Sequence, residues 1–302
     1  MKKRNLLLGE NWQMPDIVFL NGEFVPACEA KISVFDHGFL YGDGFFETMR
    51  SYHGRIFLLE EHLDRLFCSA RALEMKIPWE RKDIKRFLHR MVEINGDNIL
   101  LRLTVSRGPG PAGIDPRLYS KPTIVITSRE AAYNERWYNE GARAVFVRTL
   151  RNLAGATLPE VKSLNFLNNI LAKQETVRAG ADEGFMLNYR GQVTEGTVSN
   201  VFAVRDGCLA TPSLDCGLLA GITRLKVLQL ASEYRIPAME TVLLKEDFWD
   251  ADEVFYTNSG SEIVPVTTLD GMPAGTGTPG RITAFLLEKY RRHAYGNNNQ
   301  KW

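Results

Sequence analysis

Val161-Lys162-Ser163-Leu164-Asn165, Val193-Thr194-Glu195-Gly196-Thr197-Val198-Ser199-Asn200 and Leu219-Ala220-Gly221-Ile222-Thr223-Arg224 are the three stretches on which the reading of this chain turns. Lys162 lies between Val161 and Leu164 at the start of a helical pattern expected over 163–179. Partial burial there would lower its pKa and free the amine for attack. Taken alone, a lysine opening a helix is an ordinary surface residue. Glu195, beside Gly196, taken alone is a solvated turn carboxylate. Ile222 and Thr223 open a helix that runs through Leu225, Val227 and Leu228. Free N–H groups and the helix dipole make such an end an anion site. Taken alone, Thr223 is equally an ordinary N-cap.

In this order, with these neighbours, the three stretches resemble the cofactor site of the class IV (fold type IV) pyridoxal-phosphate enzymes. That family includes D-amino-acid and branched-chain aminotransferases and aminodeoxychorismate lyase. The likeness runs from residue 16 to about 290. It implies an α/β fold with an extension at 1–15, a small N-terminal domain over 16–130, a larger cofactor-binding domain over 131–295 and a tail at 296–302. It also implies pyridoxal 5'-phosphate, with Lys162 holding the aldehyde and Glu195 pairing with the pyridine nitrogen. Leu219 would pack on the ring. Ile222, Thr223, Arg65 (in Glu61-His62-Leu63-Asp64-Arg65-Leu66) and Ser259 (in Thr257-Asn258-Ser259-Gly260) would hold the phosphate.

On the substrate side the resemblance places Tyr41, Phe46, Arg50, Arg102 and Gly260. Arg50 and Arg102 are candidates for substrate carboxylates, because a guanidinium fork suits them; either could instead make a structural ion pair. Leu100 stands where branched-chain aminotransferases carry a tyrosine, and the 108–114 loop lacks the Arg-x-His pair of D-amino-acid aminotransferases. Thr211-Pro212-Ser213-Leu214-Asp215-Cys216-Gly217 and Tyr256-Thr257-Asn258-Ser259 look most like bacterial aminodeoxychorismate lyases. The implied activity is amino transfer between an amino acid and a 2-oxo acid. The alternative is release of 4-aminobenzoate and pyruvate from aminodeoxychorismate. A homodimer is implied too, since in this family each active site borrows a loop from its partner.

The remaining features narrow the classes. A formal charge of +1 over 302 residues gives no electrostatic reason to expect nucleic acid or an anionic membrane. Four scattered cysteines without a CxxC pair read as reduced thiols of a cytoplasmic protein, and the histidines show no metal-ligand spacing. No run approaches the roughly 18 apolar residues that span a bilayer. Gly108-Pro109-Gly110-Pro111-Ala112-Gly113 fits GxGxxG by letter. Its prolines remove N–H donors and no helix follows, so it reads as a substrate-side loop rather than a dinucleotide fingerprint. Periodicity further predicts a hairpin around Asn21-Gly22 and helices over 59–76, 82–94, 223–234 and 282–292. Strands are expected over 100–105, 122–127, 144–147, 184–187, 201–204 and 254–257.

Overall fold

The computed structural model describes residues 16–132, 134–155 and 158–296. The expected extension at 1–15 and the tail beyond 296 lie outside the described residues.

The first half is an antiparallel sheet backed by helices. Its elements are β1 (Ile17–Leu20), β2 (Glu23–Pro26), α1 (His37–Tyr41), β3 (Gly44–Tyr52), β4 (Arg55–Ile56), α2 (Leu59–Ala72), α3 (Arg81–Asn95), β5 (Ile99–Ser106) and β6 (Thr123–Glu130). Sheet order is β2-β1-β6-β5-β3-β4. In α2, the buried positions His62, Leu63, Leu66, Ser69 and Ala70 form one helical face. With Ile84, Phe87, Leu88 and Met91 of α3 they cover Phe45, Met49, Leu101, Leu103 and Val105 of the sheet. α2 stops at Ala72, short of the expected 76, where Glu74 turns the backbone to φ +51°.

Side chains alternate across a strand, so β3 presents Phe45, Glu47 and Met49 on one side and Phe46, Thr48 and Arg50 on the other. Both faces are buried, because the second half of the chain covers the side away from α2. A charged residue at Glu47, on the face of Phe45 and Met49, needs partners there.

The strands of the second half are β7 (Ala142–Phe146), β8 (Glu183–Leu187), β9 (Val193–Gly196), β10 (Asn200–Arg205), β11 (Cys208–Pro212), β12 (Ala238–Thr241), β13 (Glu253–Asn258), β14 (Glu262–Leu269) and β15 (Met272–Pro273). They form a mixed sheet in the order β12-β11-β10-β13-β14-β7-β8-β9, with β15 paired to β14. Its helices are α4 (Glu135–Asn139), α5 (Leu167–Arg178), α6 (Ile222–Glu233), α7 (Lys245–Trp249) and α8 (Arg281–Tyr295). One core lies around Phe185, Phe248, Val254 and Val264, and another under α6 and α8 around Phe202, Phe255, Leu230 and Leu286. β14 is absent from the expected strands because Pro265 interrupts its apolar pattern; β7 pairs with it only from Val266 onward. None of the helices described is long and apolar enough to cross a membrane.

Candidate active site

The lysine stretch departs from its expected helix. α5 begins at Leu167, and residues 162–164 form an irregular segment that pairs with the start of β3. Phe46 N donates to Lys162 O at 2.9 Å, Leu164 N donates to Gly44 O at 2.9 Å, and Ser163 bridges to Phe45. Gly44 has to be a glycine here, since an added Cβ would run into Val105 O and the Leu164 side chain. A segment of the second half is thus stitched to the first sheet, and Lys162 is held at the seam.

Lys162 opens into a cavity of about 540 Å³ lined by residues of both sheets. Its Nζ lies 4.8 Å from the centre of the Phe46 ring. Burial, reinforced by the Arg65 charge, brings its pKa down to about 8, against the opposing pull of Glu47 and Glu195. The free amine is therefore well populated near neutral to mildly alkaline pH.

Glu195 is the penultimate residue of β9 and is 5% exposed. Its Oε2 accepts from Leu219 N at 3.0 Å. Arg151 Nε lies 2.6 Å from Oε1, but its N–H is not aimed at that oxygen, so the contact is an ion pair more than a directed hydrogen bond. Burial raises the Glu195 pKa, and Arg151 and Leu219 only partly offset it. The turn after Glu195 is fixed from below by the buried Glu183, which accepts from Thr197 N (3.0 Å), Thr197 Oγ1 (2.5 Å) and Ser199 Oγ (3.0 Å).

Leu219, Ile222 and Thr223 line the same cavity at the N-terminus of α6. Asn200 Nδ2 donates to Leu219 O at 2.9 Å, and a Cβ at Gly221 would strike the Asn200 carboxamide. The close approach leaves the first N–H groups of α6 facing the cavity without a side-chain cap. Arg65 reaches the same place from α2, its Nη1 donating to Ala220 O at 2.8 Å. Ser259 and Gly260 line the wall in a turn that Asn258 Oδ1 closes by accepting from Gly260 N (2.9 Å) and Ser261 N (2.7 Å).

Of the expected substrate-side residues, Phe46, Arg102 and Gly260 line the cavity. The Arg102 guanidinium lies 3.5 Å from the centre of the Phe46 ring and makes no ion pair with a carboxylate among the described residues. One expectation is corrected. Arg50 is 2% exposed and committed elsewhere, donating to Gly260 O and Asn98 Oδ1 at 2.8 Å each and lying 3.8 Å from Glu262. It supports the turn bearing Gly260 and does not face the cavity. Tyr41 is 47% exposed, packs against the His37 ring at 4.6 Å and is not among the lining residues.

Two site residues stand outside every motif. Arg151 lies in a loop and is brought beneath Glu195 by its backbone bond to Leu187 O (2.8 Å). No local pattern marks it. Arg129 lines the cavity from β6; its register partner is Leu100, and strand alternation puts it on the same face as Arg102.

Residues 44–269 match the family model described as amino-transferase class IV. A putative branched-chain-amino-acid aminotransferase of Methanocaldococcus jannaschii is 42% identical over 277 residues, covering 91% of this chain and 95% of that protein. A D-alanine aminotransferase of Listeria monocytogenes is 35% identical over 278 residues, covering 90% and 94%. Among solved structures, the T.th. branched-chain amino acid aminotransferase complexed with N-(5'-phosphopyridoxyl)-L-glutamate superposes with a TM-score of 0.89 at 31% identity, over 95% of this chain and 96% of that one. The Escherichia coli branched-chain aminotransferase gives 0.90 at 28% identity, over 95% and 97%.

Proposed function

The chain belongs to the class IV aminotransferases, enzymes that move an amino group between an amino acid and a 2-oxo acid, and we propose that it does so with pyridoxal 5'-phosphate held covalently by Lys162. One observation carries this reading. A lysine with a pKa of about 8, a buried carboxylate and an uncapped helix N-terminus converge on a single cavity.

The residues fit the cofactor. The Thr257 hydroxyl lines the cavity, is buried, and has no hydrogen-bond partner among the described residues. Glu195 Oε1 keeps accepting capacity because the Arg151 N–H is not aimed at it. When bound, the cofactor supplies a conjugated ring that takes up the electron pair left as the Cα–H bond breaks. Glu195 is the partner for the pyridine nitrogen and Leu219 the side chain for the ring face. Arg65, Ser259, Thr223 and the backbone N–H groups from Ile222 onward are the phosphate ligands. The Lys162 amine, once free, would carry the proton away from the substrate Cα. Arg102 meets a substrate carboxylate with its guanidinium fork.

We favour a branched-chain amino acid as donor. Phe46, Leu100, Leu158 and Val198 give the cavity an apolar wall, and the 108–114 loop lacks an Arg-x-His pair. The 42% identical relative and the structural neighbours bear branched-chain names. The elimination alternative is not favoured, since the relatives are aminotransferases. A homodimer is supported by exposed Val34, Phe35, Phe39, Leu40 and Tyr41, an apolar run that a second copy would cover. The test is a donor panel with 2-oxoglutarate. L-Leucine and L-valine are expected to be consumed faster than D-alanine, without release of 4-aminobenzoate from aminodeoxychorismate. Turnover of D-alanine alone would overturn the assignment.

A further inference from the structure

Glu47 is a buried acid that the reaction just described does not use. It sits in β3 on the α2 face, 1% exposed, among Phe45, Met49 and the apolar side of α2. Three N–H donors converge on it. Arg65 Nε donates to Oε1 at 2.7 Å, Arg65 Nη2 to Oε2 at 2.8 Å, and His62 Nδ1 lies 2.7 Å from Oε2. Burial lowers the His62 pKa, so the imidazole is neutral and donates without adding charge. Although burial alone would raise the Glu47 pKa, the charge and hydrogen bonds of Arg65, with His62, bring it down to about 2.

A guanidinium has five N–H donors in a fixed plane. Glu47 engages Nε and Nη2 as a fork, and Ala220 O engages Nη1. Two N–H bonds remain, and the plane in which they point is set before any ligand arrives. We propose that Glu47 is the positioning residue of the phosphate site, holding the Arg65 guanidinium in the orientation that recognises a phosphate monoester. This rests on the pyridoxal-phosphate reading and on Arg65 as a phosphate ligand.

Two effects of removing the charge oppose each other. Glu47→Gln takes a negative charge away from the site, which favours an anion. It also places a carboxamide, with one acceptor and one N–H₂, where three donors converge, so Arg65 or His62 is expelled from its place. The second effect dominates, because a misdirected fork loses the charge-assisted hydrogen bonds that give guanidinium–phosphate pairs their strength.

The experiment compares binding of pyridoxal 5'-phosphate and of pyridoxal, which lacks the phosphate, to cofactor-stripped wild type and Glu47→Gln. In Glu47→Gln the preference for the phosphorylated form is expected to fall about ten- to a hundredfold, the worth of one such hydrogen bond, with pyridoxal affinity unchanged. An equal loss for both ligands would mean a purely structural role and overturn the proposal. So would an unchanged or increased preference. Should Glu47→Gln not fold, Glu47→Asp keeps the charge but shortens the reach; a fall in preference supports the proposal and an unchanged preference overturns it. If wild type itself shows no preference for the phosphorylated form, the cofactor reading fails rather than this one.

Discussion

Two glutamate–arginine pairs flank the cavity, and burial acts on both, yet their carboxylates move in opposite directions. Glu47 is held at a pKa of about 2, whereas Glu195 is raised above the ordinary carboxylate range. The difference is in donors. Glu47 receives three aimed N–H bonds from Arg65 and His62, enough to outweigh desolvation. Glu195 receives one backbone N–H and an ion pair whose N–H is not directed at it. Saturating a buried acid fixes it as a strut, and leaving it under-satisfied keeps it ready for a partner that arrives with the ligand.

The largest expected break in this comparison is in turnover. Glu195→Gln should retain cofactor but lower kcat by about 10³-fold, in the range for loss of an essential proton-handling group. Glu47→Gln at saturating cofactor should lose far less. Stopped-flow measurement of Cα proton removal in the two variants checks this; equal losses would erase the distinction.

A smaller effect is expected from Arg151→Met. Without the guanidinium, desolvation of Glu195 is opposed by the Leu219 N–H and the Lys162 charge alone, and its pKa moves further up. The acid limb of the pH–rate profile should shift to higher pH, with activity at pH 7 reduced about tenfold and partly restored by alkali. An unshifted limb would remove Arg151 from the account.

Stability of the cofactor-free protein should separate the pairs by sign. A carboxylate whose folded pKa lies below its unfolded value of 4.5 contributes stability above pH 4.5, lost as pH falls toward 2; Glu47 is of this kind. Glu195, with a raised folded pKa, makes stability increase on acidification toward 4.5. Denaturant titrations from pH 7 to 3 should show Glu47→Gln flattening the acid loss and Glu195→Gln removing a gain. Parallel curves would contradict the opposed shifts.

The smallest effect concerns Lys162, between the two. Capture of added cofactor by the stripped protein should accelerate with pH and level off above about 8, not 10.5. Stability should rise above that, between about pH 8 and the unfolded value of 10.5, where the folded state binds fewer protons than the unfolded one.

The sequence made most of this site legible because each motif carries its chemistry locally. A lysine, a glutamate and a helix start lie in short contiguous stretches, and the cavity assembles all three. Elements with clean periodicity, such as α3 and β5, run within a residue or two of expectation. What stayed hidden depends on tertiary pairing. Lys162 sits outside the helix because β3 offers its segment hydrogen bonds that outcompete a first helical turn. Arg50 appears as a pocket arginine in sequence, but Gly260, Asn98 and Glu262 claim it from segments far along the chain. Arg151 has no motif at all. Glu47 offered one hint, a charge on the strand face of Phe45 and Met49, whose meaning required the α2 face opposite.

Borohydride reduction of the cofactor-loaded protein followed by peptide mapping tests the role of Lys162 directly, because it fixes the cofactor to whichever amine holds it. The phosphopyridoxyl group is expected on Lys162 and is expected to disappear in Lys162→Ala. Labelling of a different lysine, or of none, would contradict that role.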